Sequence, residues 1–195
     1  MRNIDYRILE LAKPYLNTRK NDIHTDISCR FAFRLLESEP GDPAVVIPAI
    51  LCHDLGWSKL SEELQLKAFG PKGFDADLRR VHEVEGVKLA QEVLREVAYD
   101  RQKTAEILEI IEGHDSRLTA LSDSDKIVKD ADKLFRFDPV GLRIDAERFK
   151  LGVIEHAHWL KERIEEWFFT DTAKGLALEE LTKTIRLDGN VVSQC

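Results

Sequence analysis

The chain of 195 residues holds six histidines, and four of them, His24, His53, His82 and His114, fall in or at the end of segments with helical periodicity. At about 100° per residue, His24 shares a helical face with Ile27, Phe31 and Leu35. His82 shares one with Gly86, Leu89 and Val93, and His114 extends the face of Ile107, Ile110 and Ile111. His53-Asp54 closes the apolar stretch Ala44–Leu55. A lone inward histidine is ordinarily a core residue with one hydrogen-bond partner. Four inward imidazoles without a shared purpose would cost on the order of 1–3 kcal/mol per unsatisfied group. A metal ion removes that cost, because neutral imidazole and carboxylate become its ligands. His156 and His158 lie two apart, about 200° around a helix, and cannot face one site. They are expected to be surface or packing residues.

A divalent ion also needs carboxylates. Asp54 is one, and the segment Lys129-Asp130-Ala131-Asp132-Lys133-Leu134 offers two more. The apolar face of Ile127, Val128, Leu134 and Phe135 centres on Ala131, so Asp130 and Asp132 flank it from opposite sides and only one can serve a common site. Spacing leaves open which. Imidazole with some carboxylate suits manganese, iron, cobalt, nickel or zinc, and such an ion lowers the pKa of bound water. No Ser-His-Asp or Cys-His arrangement and no glycine-rich phosphate loop suggests itself. Cys29 and Cys52 read as small core residues. Cys52 adjoins His53, but its spacing fits the other ligands poorly.

Long helices are predicted to carry these groups, over Asp5–Leu16, Asp22–Glu37, Ala44–Leu55, Asp75–Val97, Arg101–Gly113, a segment opened by Ser122 and ending at Phe135, Asp145–Phe169 and Asp171–Ile185. Asp42-Pro43, Asp100 and Ser122 have the chemistry of helix N-termini, and Gly56 that of a helix stop. Ser58–Phe74, punctuated by Gly70-Pro71-Lys72-Gly73, is the most irregular stretch. Asp188–Cys195 lacks an amphipathic pattern and is expected to fray. Strand-like alternation of useful length is absent, so the expected fold is all-α, a bundle of about eight helices in one domain spanning 1–195.

Twenty-nine Lys and Arg against 36 Asp and Glu leave a net charge of −7, which disfavours nucleic acid as the main partner. The longest uncharged run, Pro43–His53, is too short to span a bilayer. Arg2, Asp5, Arg7 and Glu10 near the start argue against a secretory signal. Three cysteines without paired spacing fit a reducing, cytoplasmic setting. A homo-oligomer is compatible with all of this.

His24, His53-Asp54-Leu55-Gly56 and Asp130-Ala131-Asp132-Lys133-Leu134, in this order, resemble the HD-domain superfamily of metal-dependent phosphohydrolases. The resemblance covers about residues 22–136 and implies a helical HD-type domain there, followed by C-terminal helices over 145–185. In the family context the ligand is the aspartate after the alanine, which selects Asp132. The resemblance further implies one ion held by His24, His53, Asp54 and Asp132, and a second by His82, His114 and a bridging Asp54. One or two divalent ions per chain are therefore expected. Without a second ion, His82 and His114 would line the pocket as proton donors or phosphate contacts. In the implied reaction a metal-bound hydroxide attacks phosphorus, Asp54 orients it or takes its proton, and a pocket histidine or lysine assists the leaving oxygen.

The chain departs from the family pattern at Trp57, where many relatives carry a phosphate-contacting lysine. Lys59 and Lys133 are the candidate replacements, with Lys129 and Arg136 on Asp132's side of its helix. A solvated, exposed face is the default expectation for these four. The implied activity is hydrolysis of a phosphate ester or anhydride of a small molecule, a nucleotide above all. The same residues in the same order would also serve a di-iron oxygenase cleaving C–C or C–P bonds. A non-catalytic binding module with a structural metal is the third reading.

Overall fold

A computed structural model describes residues 1–68 and 75–192, with side chains to residue 186. Among these the fold is all-α. The helices are α1 (Asn3–Leu16), α2 (Asn21–Leu36), α3 (Pro43–Cys52), α4 (Glu62–Ala68), α5 (Ala76–Glu96), α6 (Arg101–Glu112), α7 (Asp123–Leu134), α8 (Pro139–Phe149), α9 (Val153–Lys161), α10 (Ile164–Trp167) and α11 (Asp171–Val192). Two 3₁₀ turns, Leu55–Lys59 and Phe135–Phe137, extend α3 and α7. No helix among the described residues is long and apolar enough to cross a membrane.

Side-chain caps set the boundaries. Asp42 accepts from the Ala44 N–H and Asp100 from Lys103. Ser122 accepts from Asp125, and Asp138 from Val140 and Gly141. Every residue of Val45–Cys52 is buried, and α3 packs against α1, α2, α6 and α7. A helix that is apolar all round belongs at the centre of the fold. Its last turn then hands His53 and Asp54 to the interior, and the Leu55–Lys59 turn continues against α5.

Three expectations are corrected. The predicted helix Asp145–Phe169 is α8, α9 and α10. Asp138-Pro139 starts α8 early with the same capping chemistry as Asp42-Pro43. Lys150 then turns left-handed (φ 55°) and ends it. Further on, the Arg163 side chain takes the Trp159 carbonyl while its N–H shifts to Leu160, which breaks α9 from α10. The predicted irregular stretch 58–74 contains α4, whereas Gly70–Gly73 lies outside the described residues. The last helix runs to Val192, past the expected Ile185, so the backbone of Asp188–Val192 is helical; residues 193–195 lie outside the description.

Candidate metal centre

Four helix ends and the second turn of α5 bring the candidate groups together. His24 comes from the first turn of α2, and His53 and Asp54 from the end of α3. His82 lies in α5, and His114 with Asp115 just beyond α6. Asp132 comes from the last turn of α7. His24 Nε2 lies 3.0 Å from His53 Nε2 and 3.1 Å from Asp132 Oδ1, and His53 Nε2 lies 3.5 Å from that same oxygen. Beside this trio, His82 Nε2 is 3.2 Å from His114 Nε2 and 3.3 Å from Asp115 Oδ2. Asp54 sits between the groups. Its oxygens are 3.5 Å from His24, 3.7 Å from His53, 3.9 Å from His82 and 3.6 Å from His114.

These separations match a metal site. Ligand bonds of about 2.0–2.2 Å place neighbouring ligand atoms about 3–3.5 Å apart. The imidazoles are also preset. His53 Nδ1 donates to the Ile50 carbonyl at 2.7 Å and His114 Nδ1 to Ile111 at 2.8 Å, each leaving Nε2 towards the cluster. The groups that could hold an ion are His24, His53, Asp132; His53, Asp54, His114; and His82, His114, Asp115.

The charge distribution favours a cation. Burial alone would lower the His53 pKa, but Asp54 and Asp132 outweigh it and push the ring up to about 9. His114 is raised likewise, against burial, by Asp54 and Asp115. Asp54 and Asp132, though buried, are held well below the usual carboxylate range by the surrounding imidazoles. His82 goes the other way, down to about 4, through burial and the neighbouring His114. It is a neutral imidazole over the physiological range.

Two glycines allow this convergence. A Cβ on Gly56 would lie 1.8 Å from the His82 carbonyl oxygen, and one on Gly86 would lie 3.3 Å from the His53 carbonyl. The turn after His53-Asp54 therefore rests directly on the α5 backbone. Trp57, buried at this contact, stacks on His82 (centroids 3.9 Å, planes 9° apart) and donates Nε1–H to Asp54 Oδ1 at 3.0 Å. Trp57 thus ties the Asp54 carboxylate to the His82 imidazole.

The loop that carries His114 and Asp115 is gripped from both sides. Glu83 is buried and accepts from the backbone N–H of Asp115 and Ser116 and from Ser116 Oγ. Lys129 donates to the carbonyls of Gly113, His114 and Arg117 at 2.6–3.0 Å. Lys129 is 1% exposed, which corrects the expectation of a solvated side chain, and burial pushes its ammonium down to about 8.

Asp130 lies apart from the cluster, accepting from the Phe169 and Thr170 N–H and Thr170 Oγ at the start of α11. Burial raises it to about 6. Cys52 is buried and outside every ligand group, with burial pushing its thiol up to about 12. Lys59 is exposed and does not line the chamber over the cluster, while Lys133 is half-buried, its Nζ 5.7 Å from the Phe169 ring centre. His158 is exposed as expected, and His156 is buried beside Trp159.

Three arginines face the same chamber, a cavity of about 30 Å³. Arg136 and Arg148 are bridged by buried Asp145 at 2.6 and 3.0 Å, and Arg148 also donates to the Arg19 carbonyl. Arg19 stands over Trp57, 4.3 Å from its ring centre, at a place where Arg19 and Lys20 both adopt left-handed backbone. Such conformations cost non-glycine residues about 1–2 kcal/mol each.

The HD-domain family model matches residues 22–136, more than half of the chain and the stretch that holds every ligand group. The chain belongs to the HD-domain family. None of the curated proteins and none of the solved structures gives a significant match. HD domains bind divalent metals and are mostly metal-dependent hydrolases, and the His/Asp groups of this HD domain fit that chemistry. Sequence pattern does not single out Asp115 or Arg19, and it marks Trp57 only as a departure from the family pattern. The pairing His114-Asp115 repeats His53-Asp54 at a second helix end, and that repetition was the available signal for Asp115.

Proposed function

We propose that this HD domain hydrolyses a phosphate ester or anhydride of a small molecule, a nucleotide above all. Two divalent ions would be held, one by His24, His53, Asp54 and Asp132, the other by His82, His114, Asp115 and the shared Asp54. Such ions would supply Lewis-acid activation of water and stabilise the charge developing on the phosphoryl and leaving oxygens. The observation that carries the reading is the juxtaposition of this ligand set with Arg19, Arg136 and Arg148. Guanidinium groups are suited to phosphate oxygens, and Asp145 holds two of them in place.

In the reaction Asp54, reaching both groups, orients the attacking water. The arginines bind the phosphoryl oxygens in place of the lysine that Trp57 displaces. Lys133, beside Asp132, serves the departing oxygen. Buried free thiols at Cys29 and Cys52 fit action in a reducing, cytoplasmic compartment.

The test is a panel of phosphorylated metabolites with manganese, cobalt, nickel, zinc or iron, run with and without O₂, alongside elemental analysis. Phosphate release with manganese or cobalt that is indifferent to anoxia is the expected result. Turnover that requires iron and O₂ would make the protein an oxygenase. Metal without turnover on any compound would make it a binding module.

A further inference from the structure

The chamber over the ligand cluster, at about 30 Å³, has room for little more than a water or two. The body of any substrate must lie outside it. Two larger cavities adjoin. One, of about 400 Å³, shares Arg19 and Arg148 with the chamber and is otherwise lined by Lys20, Glu62, Gln65, Leu66, Ile144 and Glu147. Among the described residues no aromatic ring lines it. The other, of about 430 Å³, shares Asp115, Asp132 and Arg136 with the chamber and extends between α7, α9 and the loop after α6. Both fall within the roughly 300–1,000 Å³ of small-molecule pockets.

The second cavity has two chemical halves. Near the ligand groups its wall carries Arg79, Lys133 and Arg136 beside Asp115 and Asp132. Arg79 pairs with Asp115, Lys133 follows Asp132, and Arg136 is shared with the chamber. Away from them Trp159, Trp167 and Phe169 dominate its wall, with Glu166 among them. His156 also lines it, 6% exposed, and His156 Nε2 has no hydrogen-bond partner among the described residues. Basic side chains leading from an aromatic wall to a phosphate-handling centre suit a ligand with a planar ring at one end and phosphates at the other.

We propose that this cavity binds the base of a nucleotide substrate, with the phosphates running past Lys133 and Arg136 to the ligand cluster and His156 meeting the polar edge of the base. The inference rests on the phosphate hydrolysis proposed above, and it selects one of two cavities that such hydrolysis alone leaves equivalent.

The experiment measures binding to the manganese-loaded protein of an imido-bridged, non-hydrolysable adenosine triphosphate analogue and of tripolyphosphate. Base stacking on aromatic side chains should make the nucleotide analogue bind about tenfold tighter or better. Trp167→Ala and Phe169→Ala should each remove most of that advantage and leave tripolyphosphate affinity within about twofold. His156→Phe should change the ranking among adenine, guanine, cytosine and uracil analogues. Leu66→Ala, in the other cavity, should change none of these. Phe169→Leu keeps apolar bulk without a ring and replaces Phe169→Ala if that variant fails to fold. Equal binding of the two ligands, variants that weaken both alike, or loss of the advantage in Leu66→Ala would each overturn the assignment. Phosphate release from ringless compounds as efficient as from nucleotides would leave hydrolysis standing and remove this inference. Tight analogue binding with no turnover would do the reverse.

Discussion

Alanine at position 56 puts the convergence of His53-Asp54 on His82 to a direct test. The new Cβ would stand 1.8 Å from the His82 carbonyl oxygen and 2.6 Å from the Gly86 nitrogen, both backbone atoms. Ordinary contact needs about 3.5 Å, so the turn and α5 must part by about 1.5 Å. Gly56 is not in the left-handed region, so backbone freedom alone would favour alanine by about 0.4–1 kcal/mol. Overpacking costs about 1–3 kcal/mol and outweighs that gain. The net loss of about 1–2 kcal/mol corresponds to a fall in Tm of about 2–8 °C for a chain of this size. Site geometry suffers more, because ligand distances tolerate only about ±0.2 Å. Parting the turn from α5 stretches the Asp54–His82 approach of 3.9 Å and the Trp57–His82 stack together. Elemental analysis after manganese saturation should find the ion at His82, His114 and Asp115 lost. Gly86→Ala, whose Cβ would meet the His53 carbonyl at 3.3 Å, requires a shift of only a few tenths of an ångström and should keep the metal content of the unaltered protein. A Gly56→Ala protein with two ions per chain and an unchanged Tm would refute the reasoning.

Lys129→Met removes the three donors that hold the loop at Gly113, His114 and Arg117, and should weaken the His82/His114/Asp115 ion by about 10–100-fold, read by chelator competition, while the ion at His24 and Asp132 is retained. Asp132→Asn should lower metal content, whereas Asp130→Asn should leave it intact. Asp130, raised to about 6 by burial, binds a proton more tightly folded than unfolded, so its contribution to stability falls as the pH rises from about 4 to 6. That slope should vanish in Asp130→Asn denaturation curves, and metal loss in this variant would contradict its place at α11. Because the carboxylates push His53 up to about 9 and raise His114 as well, metal binding at pH 7 should displace at least one proton, with affinity climbing until about pH 9. Calorimetry in buffers of different ionisation heat measures the proton count, and a count of zero would remove His53 from the ligand set.

Much of this protein is written in local pattern. The caps Asp42, Asp100 and Ser122, the helical periodicity and the inward placement of four histidines concern residues within a turn or two of one another, where helix geometry alone decides. The HD-domain ligand order belongs to the same level. The break after Phe149 depends on Lys150 turning left-handed, which no side-chain pattern announced. Lys129 read as an exposed lysine because its buried partners are carbonyls of a loop twelve or more residues away. Asp115 joins the ligand groups because Glu83, on another helix, fixes its backbone. Trp57 and Arg19 meet only once α3 is enclosed and its final turn rests on α5. Periodicity assigns a side chain to a face, whereas loops and turns take their places from distant partners. The ligand types were therefore local information, and the number of groups, their shared carboxylate and the cavity beside them were decided by packing.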